Sequence, residues 1–291
     1  MIEIKRLVKR FGPVTAVNDL SIRVKDGING LVGENGAGKS TLLRLISDIY
    51  QPNQGSITVD GYNNSDIKAK ELIFFLPDDP YAPLNATIGQ TFELYNSLFD
   101  LDKEKFLDFL GKLNLPLDRK VSTFSKGMKR QFFIALAISS KAKYLLLDEA
   151  FDGLDPLVLD NIKQELIKGA DEKTFIISSH NISSLERLCD NFIMLSEGVC
   201  TINSNIEHIA KNFVKYQVLF NSPASKEQFE EYGFRVISFR KIGSIYNIVF
   251  QGDVKEEHLR KLFDMALCEN VPLDSEELIA MQMINSRKEV L

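Results

Sequence analysis

The chain has 291 residues, 44% hydrophobic and 26% charged, with a net charge of −5. That is enough apolar material for one large or two small globular domains with a proper core, and the acidic balance argues against wholesale nucleic-acid binding. Its three scattered cysteines, Cys189, Cys200 and Cys268, match no metal-ligand spacing and suit a reducing compartment, and no apolar run nears the length of a membrane span, so a soluble cytosolic chain is expected, with any membrane part supplied by a partner.

Ile2 and Ile4 alternate with Glu3 and Lys5, the period of a strand and not the apolar core of a signal peptide. Leu20, Ile22 and Val24 alternate in the same way and turn at Asp26-Gly27. Between them, Phe11-Gly12-Pro13 places an aromatic that either packs in the core or stacks on a nucleotide base. Ile28 to Val32 is a short apolar run that reads as a buried strand.

Gly33-Glu34-Asn35-Gly36-Ala37-Gly38-Lys39-Ser40-Thr41 follows and fits the phosphate-loop pattern G-x-x-x-x-G-K-[ST] at every fixed position. After it, Leu42, Leu45, Ile46 and Ile49 fall on one helical face. Strand, glycine-rich loop and helix are the context this motif needs. The glycines let backbone N–H groups wrap phosphate oxygens, and the helix N-terminus adds partial positive charge. Asn35, Gly36, Ala37, Gly38, Lys39, Ser40 and Thr41 are therefore the expected nucleotide-binding set, with Lys39 reaching the β- and γ-phosphates and the Ser40 hydroxyl holding Mg²⁺.

Gly55 to Val59 reads as a strand turned by Asp60-Gly61, and Leu72 to Leu76 as a buried strand stopped by Pro77-Asp78-Asp79-Pro80. From about Thr87 to Leu113 the period becomes helical, with Phe106, Phe109, Leu110 and Leu113 on one face and Phe92, Tyr95 and Phe99 on another. An all-helical insertion in a sheet-based domain is the simplest account. Ser125 sits at an N-cap position, opening a helix with Met128, Phe132, Ala135 and Leu136 inward.

Tyr144 to Leu147 is an apolar run ending in Asp148-Glu149, the pattern of a central strand with carboxylates at the edge where open α/β sheets bind ligands. Given the loop upstream, Asp148 would hold Mg²⁺ and Glu149 would orient or deprotonate an attacking water. Asp155 is placed to cap a helix whose first residue is Pro156. Phe175 to Ile177 reads as a buried strand leading to Ser178-Ser179-His180. His180 is either structural or surface polar or, ending a strand of a nucleotide domain, a γ-phosphate contact, which is the better reading. Ile193 to Leu195 and Val199 to Ile202 flank a Glu197-Gly198 turn, and Ile206, Ile209, Ala210 and Phe213 suggest a short closing helix.

The character of the chain changes near residue 214. Strand-like Tyr216 to Phe220, helical Lys226 to Tyr232, strand-like Arg235 to Phe239 and Ile245 to Phe250, helical Val254 to Ala266 and a last strand at Val271 to Leu273 precede an amphipathic tail. That order predicts a small α+β domain over 214–291, with no nucleophile set, metal cluster or basic stripe.

With these pieces in order, residues 1 to about 212 resemble the ATP-binding subunit of ABC transporters. Gly33 to Thr41 matches Walker A, Leu145 to Glu149 matches Walker B with its catalytic glutamate, Gly153-Leu154-Asp155 the D-loop and His180 the switch histidine. Phe11 lies at the A-loop position, where the resemblance implies an aromatic stacked on adenine. Ser125, Lys126 and Gly127 occupy the signature motif, with Lys126 replacing its first glycine and Met128 its glutamine. Asp78 stands where the family has the Q-loop glutamine. Shorter and charged, Asp78 is expected to fall short of the metal and to serve the loop that meets a membrane subunit.

The implied fold is α/β: a P-loop NTPase of ABC type over 1–213, with an antiparallel β part and a helical subdomain over about 81–141, plus the small C-terminal α+β domain. The implied activity is hydrolysis of MgATP. The implied partners are a second ATPase subunit, identical or a paralogue, and a transmembrane permease subunit, with no nucleic acid. That places the chain on the cytoplasmic face of the membrane, held there through its membrane subunit. The C-terminal extension resembles those on ATPase subunits of drug, bacteriocin and peptide exporters. The alternative is a soluble ABC-type ATPase acting on ribosomes, but those usually carry two ATPase domains, and this chain has one P-loop. A chromosome-maintenance ATPase would need sustained heptads between its Walker motifs, which are absent. A non-enzymatic sensor would be expected to lack Glu149.

Overall fold

The alternating segments at the start of the chain pair as a hairpin in the computed structural model, which describes residues 1–185, 188–189 and 191–289. β1 (Ile2–Phe11) and β2 (Val14–Arg23) run antiparallel, and Ile2, Ile4, Leu7, Leu20 and Ile22 turn inward and are buried. β3 (Ile28–Val32) is buried at every residue, as a central parallel strand must be. It runs through the glycine-rich loop into α1 (Lys39–Ile46), whose Leu42, Leu43, Leu45 and Ile46 pack in the same core as Leu31, Leu146 and Ile176. Burying each such side chain stabilises the fold by roughly 1.5–3 kcal/mol, which fixes the angle at which α1 leaves the loop. β4 (Gln54–Val59) pairs with the free side of β1, and β5 (Tyr62–Asn63) pairs with β4. The short β5 and α2 (Ile67–Glu71) carry no period long enough to read from sequence.

β6 (Ile73–Leu76) leads to the helical part, α3 (Ile88–Phe99), α4 (Lys103–Lys112) and α5 (Lys126–Ser139). Aromatic pairs join these helices to each other and to the sheet: Phe92 stacks on Phe106 at 4.5 Å, and Phe99 lies 4.5 Å from Phe74 of β6. α3 begins with a capping box of Thr87 and Gln90. β7 (Tyr144–Leu147), β8 (Thr174–Ser179), β9 (Asn191–Ser196) and β10 (Val199–Asn205) complete the sheet, with α6 (Pro156–Gly169) connecting β7 to β8. Among the described residues its order is β10-β9-β3-β8-β7-β6, with β9, β3, β8, β7 and β6 parallel, beside the antiparallel sheet β2-β1-β4-β5.

The chain divides into two units, Met1–Asn203 and Ser204–Leu291. The division falls earlier than the 213/214 boundary expected from composition. α7 (Ile206–Ala210), read as closing the first domain, lies in the second unit, and Phe213 is not in that helix but opens β11 (Phe213–Phe220). α8 (Lys226–Glu231), β12 (Val236–Ile242), β13 (Ile245–Gln251), α9 (Glu256–Leu262) and β14 (Met265–Val271) follow, and α10 (Ser275–Glu289) is the tail. The antiparallel order β12-β13-β11-β14 gives strand-helix-strand-strand-helix-strand connectivity. Its core centres on Phe229, fully buried and stacked on Phe263 at 4.1 Å. The second helix is shorter and the last strand earlier than expected. Leu259, Leu262, Phe263 and Ala266 keep a helical spacing, but the chain from Met265 pairs with β11, a long-range contact that local period does not register. Among the described residues no helix is long and apolar enough to cross a membrane.

Candidate functional site

Parallel pairing collects four strand ends at one edge of the sheet. β3 delivers the loop of residues 33–38, β7 delivers Asp148 and Glu149, β8 delivers His180, and β6 delivers Asp78. They surround a cavity of about 410 Å³. Asn35, Gly36, Gly38, Lys39, Ser40 and Thr41 form one wall, and Asp78, Glu149, Asp152 and His180 face them.

The loop geometry requires glycine at position 38. Gly38 has φ +102°, and a Cβ there would stand 2.4 Å from the Ala16 carbonyl oxygen. The Lys39 Nζ is buried and donates to the carbonyls of Gly33 at 2.7 Å and Glu34 at 3.2 Å, and lies 3.4 Å from Glu149 Oε1. Ser40 Oγ donates to Asp148 Oδ1 at 3.0 Å, and Ser178 Oγ donates to the same oxygen at 2.7 Å. Asp148 is 1% exposed, yet its Oδ2 has no hydrogen-bond partner among the described residues. A buried ionised oxygen without a partner is costly. Beside a serine hydroxyl, it suits a hard divalent cation such as Mg²⁺, so Ser40 and Asp148 fit the metal expected from the sequence.

Glu149 is held on three sides. Its backbone N–H donates to Ser178 Oγ at 2.8 Å, Oε2 is 3.0 Å from His180 Nδ1, and Oε1 faces Lys39. Its φ of +46° lies in the left-handed region, a strained conformation for a residue with a side chain. His180 thus stands beside the carboxylate, with its ring on the cavity.

Other expected residues lie elsewhere. Ala37 is buried behind the loop, its carbonyl accepting from the Gly198 N–H at 3.1 Å. Phe11 is not in the core: it is 43% exposed at the end of β1, edge-on to Tyr50 at 5.3 Å, and it does not line the cavity. Ser125 caps α5, its Oγ accepting from the Met128 N–H at 3.2 Å, and Gly127 packs so closely that a Cβ would meet the Gly153 carbonyl at 3.1 Å. Asp155 caps α6 through the Leu157 N–H at 2.9 Å. None of Ser125, Lys126, Gly127 and Asp155 lines the cavity. Lys126 reaches its rim by pairing with Asp152 at 2.9 Å, and that ammonium holds the Asp152 carboxyl below the usual carboxylate range.

Asp78 lines the cavity and its carboxylate accepts from the Arg130 guanidinium of α5. The sequence by itself gives Asp78 no partner and gives no signal for Arg130, Asp152 or Ser178. Arg130 precedes an apolar run, and its partners are distant in sequence, so no local period marks it. Beside this cavity the segment from Asp78 to Leu84 and the first turn of α5 enclose a groove of about 640 Å³, on which Tyr81 and Leu84 are exposed.

The chain is similar in sequence to ATP-binding proteins of transporters and in fold to an ATP-binding cassette. The family model "ABC transporter" matches residues 17–152. The chain is 25% identical to the ABC transporter ATP-binding protein YtrB of Bacillus subtilis over 99% of this chain and the whole of that one. It is 32% identical to the bacitracin transport ATP-binding protein BcrA of Enterococcus faecalis, over 74% of this chain and 73% of BcrA. In fold it matches the ATP-binding cassette MJ0796, solved as a dimer in a post-hydrolysis state with ADP and Pi, at TM-score 0.62 and 22% identity, over 70% of this chain and 98% of that one.

Proposed function

The chain belongs to the ATP-binding proteins of ABC transporters, an ATP-hydrolysing family, and on that premise we propose that it works as a head-to-tail dimer driving export through separate transmembrane subunits. The observation that carries the reading is the division of the motifs. Lys39, Ser40, Glu149 and His180 line one cavity, with Asp148 bonded to Ser40, while Ser125, Lys126 and Gly127, at the start of α5, do not line it, Lys126 reaching only its rim through Asp152. A second copy placed head to tail would bring its α5 N-terminus, with the partial positive charge of a helix start, to the γ-phosphate.

In this reading the loop amides of residues 35–41 bind the phosphates, and Lys39 leaves the Gly33 and Glu34 carbonyls for the β- and γ-phosphates. Phe11, exposed at the strand end, stacks on adenine. Ser40 and Asp148 would hold Mg²⁺, which when bound neutralises phosphate charge. Glu149 takes the proton of the attacking water, and His180 orients that carboxylate. Asp155, capping α6, fixes the turn that would meet the partner subunit. The groove beside Tyr81 and Leu84 suits a segment of a membrane subunit, which would hold the chain at the cytoplasmic face of the membrane. Export of a peptide or drug is favoured by likeness to a bacitracin transport protein.

Mixing tests the dimer. Lys39→Ala and Ser125→Arg chains should each be inactive alone. Together they should regain part of the wild-type ATPase rate, because mixed dimers hold one site damaged twice and one intact. Failure of every mixing ratio to raise phosphate release above the single variants contradicts the trans assignment.

Among its described residues the second unit carries a core and no catalytic set, which supports a role in assembly or regulation. Truncation after residue 205, which keeps β10 whole, should leave MgATP affinity within about twofold of full length while changing dimerisation or transport. A truncated chain that folds by circular dichroism yet binds no ATP would count against that division.

A further inference from the structure

We propose that Arg130 is a positioning residue of the nucleotide site: it holds the Asp78 carboxylate in the cavity wall and cancels its charge, so that an acid can stand beside the phosphates. The inference rests on the nucleotide-binding reading of this cavity.

The Arg130 side chain is 5% exposed and Asp78 is 56% exposed. A buried guanidinium needs a compensating anion, because its desolvation is otherwise unbalanced. Among the described residues, two carboxylates are in reach. Asp152 lies 4.0 Å from Arg130 Nη2 and is engaged by Lys126. Asp78 accepts directly from Nη2 and is the principal counter-charge. Arg130 Nε is buried with no partner among the described residues, so the guanidinium has no surplus of acceptors to fall back on. A neutral glutamine at position 78 would leave Arg130 with the shared Asp152 alone. Position 78 therefore carries an acid because position 130 carries a buried base.

The consequence reaches the cavity. Asp78 lines it together with Lys39, Ser40 and Thr41, where polyphosphate charge would lie. An unpaired carboxylate there would repel the nucleotide. Paired with Arg130 it presents a near-neutral wall and ties the end of β6 to the first turns of α5.

The test is a charge cycle read by equilibrium titration of a fluorescent ATP analogue with Mg²⁺, with melting temperatures measured alongside. Arg130→Met frees the carboxylate and should weaken binding about fivefold, whereas Asp78→Asn leaves the cation and should tighten it about threefold. The double variant should return to within about twofold of wild type, and Arg130→Lys should stay close to wild type. Opposite signs with mutual rescue are not what a merely structural pair produces. The proposal is overturned when both single variants weaken binding and the double weakens it further, or when neither shifts it. Should Arg130→Met not fold, Asp78→Asn decides alone, and unchanged or weaker binding overturns the proposal. Wild-type protein that fails to bind, or Lys39→Ala that binds as wild type does, contradicts the nucleotide reading instead.

Discussion

Glu149→Gln is expected to lower ATP hydrolysis by about 10²–10³-fold while leaving MgATP affinity within about threefold of wild type. The carboxylate stands at the cavity wall, placed by a hydrogen bond from its own N–H to Ser178 Oγ at 2.8 Å and by His180 at 3.0 Å. Glutamine has the same shape and keeps an oxygen for His180, but its amide cannot take a proton from water. The strained φ of +46° would be retained, since it is imposed by the backbone anchored on Ser178 and not by the side-chain charge. The loss should therefore appear in the chemical step alone. Phosphate release and nucleotide titration on one preparation separate the two quantities. Turnover near the wild-type rate would remove Glu149 as the base.

Lys39→Ala should have the larger effect on binding, a fall in MgATP affinity of about 10²-fold with turnover below detection. The ammonium is 4% exposed and held by two loop carbonyls, which it exchanges for phosphate oxygens when the nucleotide binds. Alanine removes the charge and leaves those carbonyls of Gly33 and Glu34 turned toward incoming phosphate oxygens, an acceptor against an acceptor. Melting curves give an independent reading. Excess MgATP should raise the melting temperature of wild type, by the ordinary linkage of ligand to folded state, and should leave Lys39→Ala unmoved. An equal rise in both proteins would contradict the role given to this lysine.

Much of this site is legible in the amino-acid sequence. The phosphate loop is a continuous stretch with its strand and helix attached, and the parallel strand ends carry their acids and histidine in residues adjacent to apolar runs. Ser125 and Asp155 announce themselves as caps because capping is local chemistry. What the sequence hides is every relation made across distance. Asp78 and Arg130 are 52 residues apart and meet only once β6 and α5 pack. Ser178, which holds both Asp148 and Glu149 in place, reads in sequence as one of two serines ending a strand. The same cause displaces β14: the helical spacing of Leu259, Leu262 and Phe263 runs on into a segment whose state is set by pairing with β11. The period around Phe11 fits both core and surface, and exposure at the end of β1 resolves it to the surface.

The association of two chains around ATP is the claim on which the rest depends, and the mass of Glu149→Gln in solution tests it directly. Light scattering should give a monomer without nucleotide and a doubled mass with ATP and Mg²⁺, because the slow variant holds the bound nucleotide between subunits. Adding Ser125→Arg to the same chain should abolish the doubled mass while ATP still binds, since Ser125 belongs to the partner's site. A mass that stays monomeric at saturating ATP, or a dimer indifferent to Ser125→Arg, would contradict the head-to-tail account.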